Sequence, residues 1–263
     1  GVWAEPSVLQ RGLFECADME AMVRAAEALY GPYRWGRYDV LILPPSFPYG
    51  GMENPRLTFL TPTFLAGDRS LVSLVAHELA HSWSGNLVTN AVWADGWLNE
   101  GFTSYIEERL CEELYGGEYT LQSQSLAWAE IQGYIANNGV TTLYAPAGNS
   151  AVAYTKGALF LHTIERIIGR AALDRYLRSY FDRHAFQPMT TTQFLADFRA
   201  HVVRGDAALE TQLLLDAWAY QPGLPANAQE PQPEGFVEVA RAVAAFNAGG
   251  APSDAWAGWT TFQ

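Results

Sequence analysis

The chain has 263 residues, 49% of them hydrophobic and 17% charged, with a formal net charge of -12. That length can bury a sizeable core and hold one large domain or two small ones. Acids outnumber bases by 28 to 16 and the sole lysine is Lys156, which excludes the clustered cations a nucleic-acid surface needs; no apolar run is long enough for a membrane span.

In chain order, Glu20 to Leu29 reads as an amphipathic helix ended by Gly31-Pro32, and Tyr38 to Leu43 as a strand stopped by Pro44-Pro45. Arg56 to Leu60 looks like another strand. Between them, Ser46 to Pro55 is rich in Pro and Gly and is expected to lack regular structure and to line a cleft. From Ser70 the pattern is helical: Ser70 to Ser84, Asn99 to Tyr115, Leu121 to Ile135, Tyr154 to Ile168, Ala171 to His184, Thr191 to Val203 and Leu209 to Tyr220. Asp68 or Ser70 can cap the first of these, and Gly85 can end it. Pro222 to Gly235 holds four prolines and reads as a linker; Phe236 to Phe246 is one more amphipathic helix. The expected organisation is a catalytic domain over 1–221, a linker over 222–235 and the start of a helical domain over 236–263. Cys16 and Cys111 are expected to be free thiols.

The chemistry lies in His77-Glu78-Leu79-Ala80-His81 and, eighteen residues beyond His81, Asn99-Glu100. Side chains at i and i+4 on a helix share a face, so His77 and His81 can aim ring nitrogens at one zinc ion. Glu100 supplies a third ligand from a second helix and leaves the fourth position to water. Glu78 is rotated off the ligand line, where a general base must stand. Two core histidines with an exposed Glu between them would explain neither the spacing nor the second site. Asn99 can hold His81 from behind or serve as an ordinary cap. His162, His184 and His201 lack ligand spacing.

Several segments together resemble the gluzincin aminopeptidases, and within them the leukotriene-A4 hydrolase and aminopeptidase B branch. These are Pro48-Tyr49-Gly50-Gly51-Met52-Glu53-Asn54, Thr61-Pro62-Thr63, His77 to His81, Gly85-Asn86-Leu87-Val88, Trp97-Leu98-Asn99-Glu100-Gly101 and Ala217 to Pro225. The resemblance implies an α+β fold, the thermolysin-like plan of a small mixed sheet followed by a mainly helical lobe. It implies one zinc ion per chain and a peptide substrate with a free N-terminus. It gives Tyr154, in Ala153-Tyr154-Thr155-Lys156-Gly157, the part of oxyanion donor, which a tyrosine at a helix start would not otherwise be assigned. It gives Glu53 the peptide's α-ammonium, where a lone loop acid would otherwise be a solvated turn residue. Gly50 and Gly51 would let the backbone lie against the peptide, with Tyr49 and Met52 as pocket wall. The full-length protein is expected to carry a β-rich domain upstream and a helical domain downstream, and the cytoplasm is the compartment the family favours.

The sequence departs from the branch at Tyr144-Ala145-Pro146-Ala147-Gly148-Asn149-Ser150. No carboxylate lies between Ile131 and Tyr154, whereas the branch there places an acid tied to epoxide hydrolysis and to basic first residues; neither property is expected here. Two other readings compete with an aminopeptidase. A thermolysin-like endopeptidase would cut an N-acetylated peptide. A zinc-binding catalytic-domain fragment would bind metal with little or no turnover, for want of its flanking domains.

Overall fold

The computed structural model describes residues 1–137, 140–145, 151–259 and 262. In chain order the elements are β1 (Val2–Trp3), α1 (Leu9–Glu15), α2 (Met19–Tyr30), β2 (Asp39–Ile42), β3 (Gly51–Met52), β4 (Leu57–Leu60), α3 (Ser73–Ala80), β5 (Val88–Asn90), α4 (Trp97–Tyr115), α5 (Gly117–Asn137), α6 (Gly157–Ile168), α7 (Arg170–Arg183), β6 (Gln187–Met189), α8 (Thr191–Phe198), α9 (Ala207–Leu213), α10 (Leu215–Tyr220) and α11 (Glu234–Asn247). The α+β plan is as expected: a four-stranded sheet in the order β1-β2-β4-β3, then a helical lobe with a small β5-β6 pair.

Strands β1, β2 and β4 run parallel, and β3 closes one edge antiparallel to β4, with Gly51 opposite Leu60 and Met52 opposite Phe59. This corrects the expectation that 46–55 lacks regular structure. Two residues are too few to show alternation, and only the partner strand makes them a strand. The other short strands, β1, β5 and β6, escaped the sequence for the same reason.

Helix α4 is the axis of the lobe. It buries Trp97, Leu98, Phe102, Tyr105, Ile106 and Leu110 around most of its circumference, as a helix enclosed by others must. Its neighbours are α3, α5, α6 and the turn that precedes α6. Phe102, Phe160, Phe194 and Trp218 gather on Trp97 or on one another at ring separations of 5.1 to 5.7 Å, and this aromatic block fixes α6, α8 and α10 against α4. Where α4 crosses the start of α6 there is no side chain at all. A Cβ on Gly101 would stand 2.7 Å from the Gly157 Cα and 2.8 Å from the Ala153 carbonyl, so both positions must be glycine for the backbones to touch.

On the far side of α4, Arg109 is buried among Asp174 at 3.5 Å, Glu165 at 3.8 Å and Glu112 at 3.8 Å. Arg170 closes this network with 2.7 and 2.8 Å bonds to Glu165 and Glu112.

Four helical expectations are adjusted. The run from Thr191 to Val203 is α-helical only as far as Phe198 and continues as a π turn, Arg199–Val203. The run expected from Tyr154 begins with a π turn, Val152–Lys156, before α6. The run from Leu209 to Tyr220 breaks into α9 and α10 at Leu214, whose φ is 51°. The run from Ser70 is regular only over Ser73–Ala80, with no side-chain cap, because Asp68 bonds the Ser70 amide in the preceding turn. Both cysteines are buried and free. No described helix is long and apolar enough to cross a membrane. Helix α11 buries none of its residues, and its first amides bond to Glu118 of α5.

Candidate active site

Helix α3 and the first turns of α4 meet beneath the β3 edge, at the floor of a cleft of about 1230 Å³. The cleft is lined by every residue singled out in the sequence: Tyr49, Gly50, Gly51, Met52, Glu53, His77, Glu78, His81, Glu100 and Tyr154. Nε2 of His77 stands 3.2 Å from Nε2 of His81, and Glu100 Oε2 lies 3.4 and 3.5 Å from the same two nitrogens. Ligands held about 2.0 to 2.1 Å from a tetrahedral zinc ion stand about 3.3 to 3.4 Å apart, so three donors already spaced in this way fit that ion. Among the described residues Glu100 Oε2 is buried with no hydrogen-bond partner and faces the two imidazoles, and a buried carboxylate oxygen is costly unless positive charge, on a ring or a metal ion, faces it.

The other ring nitrogens are engaged from behind. His77 Nδ1 lies 2.9 Å from Glu107 Oε2, and His81 Nδ1 lies 3.1 Å from both the Ser84 carbonyl and the Thr103 hydroxyl. The carbonyl can only accept, so His81 donates from Nδ1 and keeps a lone pair on Nε2 toward the cleft. Burial alone would lower the His77 pKa, but the carboxylates of Glu100 and Glu107 outweigh it and push the ring to about 10. The same carboxylates make it a strong donor for a cation.

Glu78 is buried and one of its oxygens has no partner. Burial, with the charges of Glu53, Glu100 and Glu107, raises its carboxyl to about 8 against the pull of His77. Gly51 lies against it so closely that a Cβ there would collide with the Glu78 carboxylate. The edge strand and the acid therefore need a glycine between them. Glu53, Glu78 and His81 also gather within 4.8 Å of one another, which brings the loop acid to the same centre. The Glu53 carbonyl accepts a 2.7 Å bond from Asn86 Nδ2, so the segment after α3 holds the loop in place. Tyr154 stacks on His77, ring centroids 5.6 Å apart and planes 9° apart. Burial and the hydrogen-bonded Glu100 carboxylate keep its hydroxyl protonated far above the ordinary range.

Three partners were missed in the sequence. Glu107 was detectable, since it lies seven residues, two turns, after Glu100 on the same face of α4. Thr103 and Asn86 gave no signal of their own. Asn99 is corrected: it lies inside the first turn of α4, caps nothing, and its Oδ1 is buried without a partner against Gly85 rather than bonded to His81. The remaining histidines stand elsewhere: His162 bonds Glu108, and His184 and His201 bond Asp197. Of the segment that departs from the branch, 146–150 lies outside the described residues.

Residues 16–218 match the Peptidase family M1 domain, and the chain belongs to that family. It is 42% identical over 236 residues to a leukotriene A-4 hydrolase of Xenopus laevis, spanning 85% of this chain and 39% of that protein. To leucine aminopeptidase 2-1 of Meyerozyma guilliermondii it is 41% identical over 238 residues, spanning 85% and 38%. The native leukotriene A4 hydrolase structure from Saccharomyces cerevisiae superposes with a TM-score of 0.83 at 35% identity, covering 91% of this chain and 40% of that one. An M1 zinc metallopeptidase from Deinococcus radiodurans does so with a TM-score of 0.64 at 30% identity, covering 82% and 46%. The chain thus spans about two fifths of the length of the curated relatives it matches. Those relatives are named as enzymes, and zinc is the metal of the family.

Proposed function

We propose that this chain is the catalytic part of a zinc-dependent aminopeptidase that removes N-terminal residues from peptides. The observation that carries the reading is one cleft in which His77, His81 and Glu100 form a triangle of 3.2 to 3.5 Å beside both Glu78 and Glu53. The three residues of the triangle would hold the metal. When bound, zinc supplies Lewis acidity and brings the pKa of water toward about 7.

The remaining work falls to the chain's own groups. Glu53 pairs its carboxylate with the substrate's α-ammonium, which sets the length of peptide on the unprimed side to one residue. The β3 edge, with no side chain at Gly50 or Gly51, lies along the substrate backbone. Glu78 takes the proton of the attacking water on its unpartnered oxygen and passes it to the leaving nitrogen. The Tyr154 hydroxyl donates to the oxyanion as the carbonyl becomes tetrahedral. Residues 1–221 form this catalytic unit, 222–235 the linker and 236–263 the beginning of a helical domain.

The test compares one peptide with a free and with an acetylated N-terminus, on the parent and on Glu53→Ala, with zinc content measured alongside. The free peptide is cut by the parent and the acetylated one is not; Glu53→Ala loses about tenfold to a hundredfold in kcat/KM and keeps its zinc. Equal cutting of both peptides by the parent replaces this reading with an endopeptidase. A second reading, metal binding with little turnover, is favoured by the bare rim of the cleft, where Tyr49 is 65% and Trp93 85% exposed. It predicts zinc without hydrolysis in this chain and hydrolysis once flanking domains are restored.

A further inference from the structure

The only lysine in the sequence has no exposed surface. Lys156 is the last residue of the π turn that carries Tyr154, and the two side chains leave it in different directions: the phenol is 36% exposed at the cleft, the ammonium wholly enclosed. Its Nζ donates 2.8 Å bonds to the carbonyls of Thr141 and Gln221. Among the described residues no carboxylate forms an ion pair with it. The two acceptors come from segments 15 and 65 residues away, and these are also tied to each other, by the Gly223 amide on the Thr141 hydroxyl at 2.7 Å and the Tyr144 amide on the Ala219 carbonyl at 3.0 Å. Three stretches of chain therefore close on one ammonium.

An ammonium buried without a counter-charge is costly, and an unbranched apolar side chain would fill the same space more cheaply. What the ammonium adds is direction, since each carbonyl must lie within bonding distance of one point. The π turn holds one residue more than an α turn, and losing that residue from the register would rotate Tyr154 by about 100° around the helix, off the face of His77; the other π turn of the chain, Arg199–Val203, carries no residue of the cleft. We infer that Lys156 is a positioning residue for Tyr154: by clamping the π turn to the Thr141 and Gln221 carbonyls it keeps the phenol stacked on His77 and beside Glu100. This rests on the oxyanion role proposed for Tyr154.

Two readouts test it on the zinc-loaded chain. The first is independent of activity: 3-fluorotyrosine is placed at position 154 and its fluorine resonance recorded. The parent gives one narrow line, and Lys156→Met broadens, splits or shifts it while zinc content stays the same. An unchanged line overturns the inference. In the second, Lys156→Met lowers kcat about tenfold to a hundredfold with KM within about twofold, because the phenol acts only as charge develops. In a Tyr154→Phe background the same substitution costs less than about twofold, since the group it positions is gone. Losses that multiply in full mean that Lys156 acts on the fold at large and refute the clamp. Should Lys156→Met fail to fold, Thr141→Val, which frees the Gly223 amide and loosens one acceptor segment, is measured in its place against the same outcomes. A parent that hydrolyses no peptide even with its flanking domains restored refutes the aminopeptidase reading, and the fluorine line then decides the clamp alone.

Discussion

Helix α4 carries two acidic clusters on opposite faces, and they are finished differently. On one face Glu112, Glu165 and Asp174 surround Arg109 and Arg170, so that each carboxylate has a guanidinium within 3.8 Å. On the other, Glu53, Glu78, Glu100 and Glu107 converge on two imidazoles, and among the described residues no lysine or arginine lines the cleft. The residue types are alike; what differs is whether the protein supplies the cation. A cluster that closes its own charge is part of the scaffold, whereas one left open keeps its field for the metal ion and the ammonium group proposed for it.

The contrast is broken most severely at the base. Glu78→Gln keeps the shape of the cleft but cannot accept a proton, so kcat should fall about a thousandfold or more with zinc retained. Near-normal turnover in that variant would move Glu78 out of the open cluster's chemistry. The closed cluster should answer in stability alone. Arg109→Met strands Asp174, while Arg170 still holds Glu165 and Glu112, and is expected to lower the unfolding free energy in urea by about 3 kcal/mol with kcat unchanged; a loss of activity larger than the loss of folded protein would mean that the two faces are coupled. The smallest effect is expected at Glu107, where the protein's own supply to the open cluster ends. Glu107→Gln leaves the three ligands in place but removes the charge behind His77, and zinc affinity, measured by competition with a chelating dye, should fall about tenfold to a hundredfold. An unchanged affinity would show that the carboxylate does not tune the imidazole.

What the sequence disclosed divides along similar lines. His77, Glu78, His81 and Glu100 are legible because their relation is local to helices, where spacing alone places side chains on a face. Glu53 and Tyr154 reach the same centre through a sheet edge and a π turn, and no periodicity expresses either. Their place was legible only through resemblance. The long helices were read to within a few residues except where a tertiary contact overrode the pattern. At Leu214 the backbone turns left-handed in an unbroken apolar run, and at 152–156 the turn widens under Lys156. The two-residue strands have no signature, because pairing rather than composition creates them.

One contact bears on how the cleft responds to heat. Gly101 follows the residue that contributes Glu100 Oε2 to the triangle, and Gly157 lies three residues after Tyr154, so the crossing of the two glycines sets the separation between carboxylate and phenol. Backbone touching backbone has no rotamers to populate. That separation should stay constant as temperature rises, while the exposed rim around Trp93 and Tyr49 samples more conformers. Warming would then loosen the grip on the substrate before it disturbs the reacting groups, and KM should climb at temperatures where kcat still follows a single activation enthalpy.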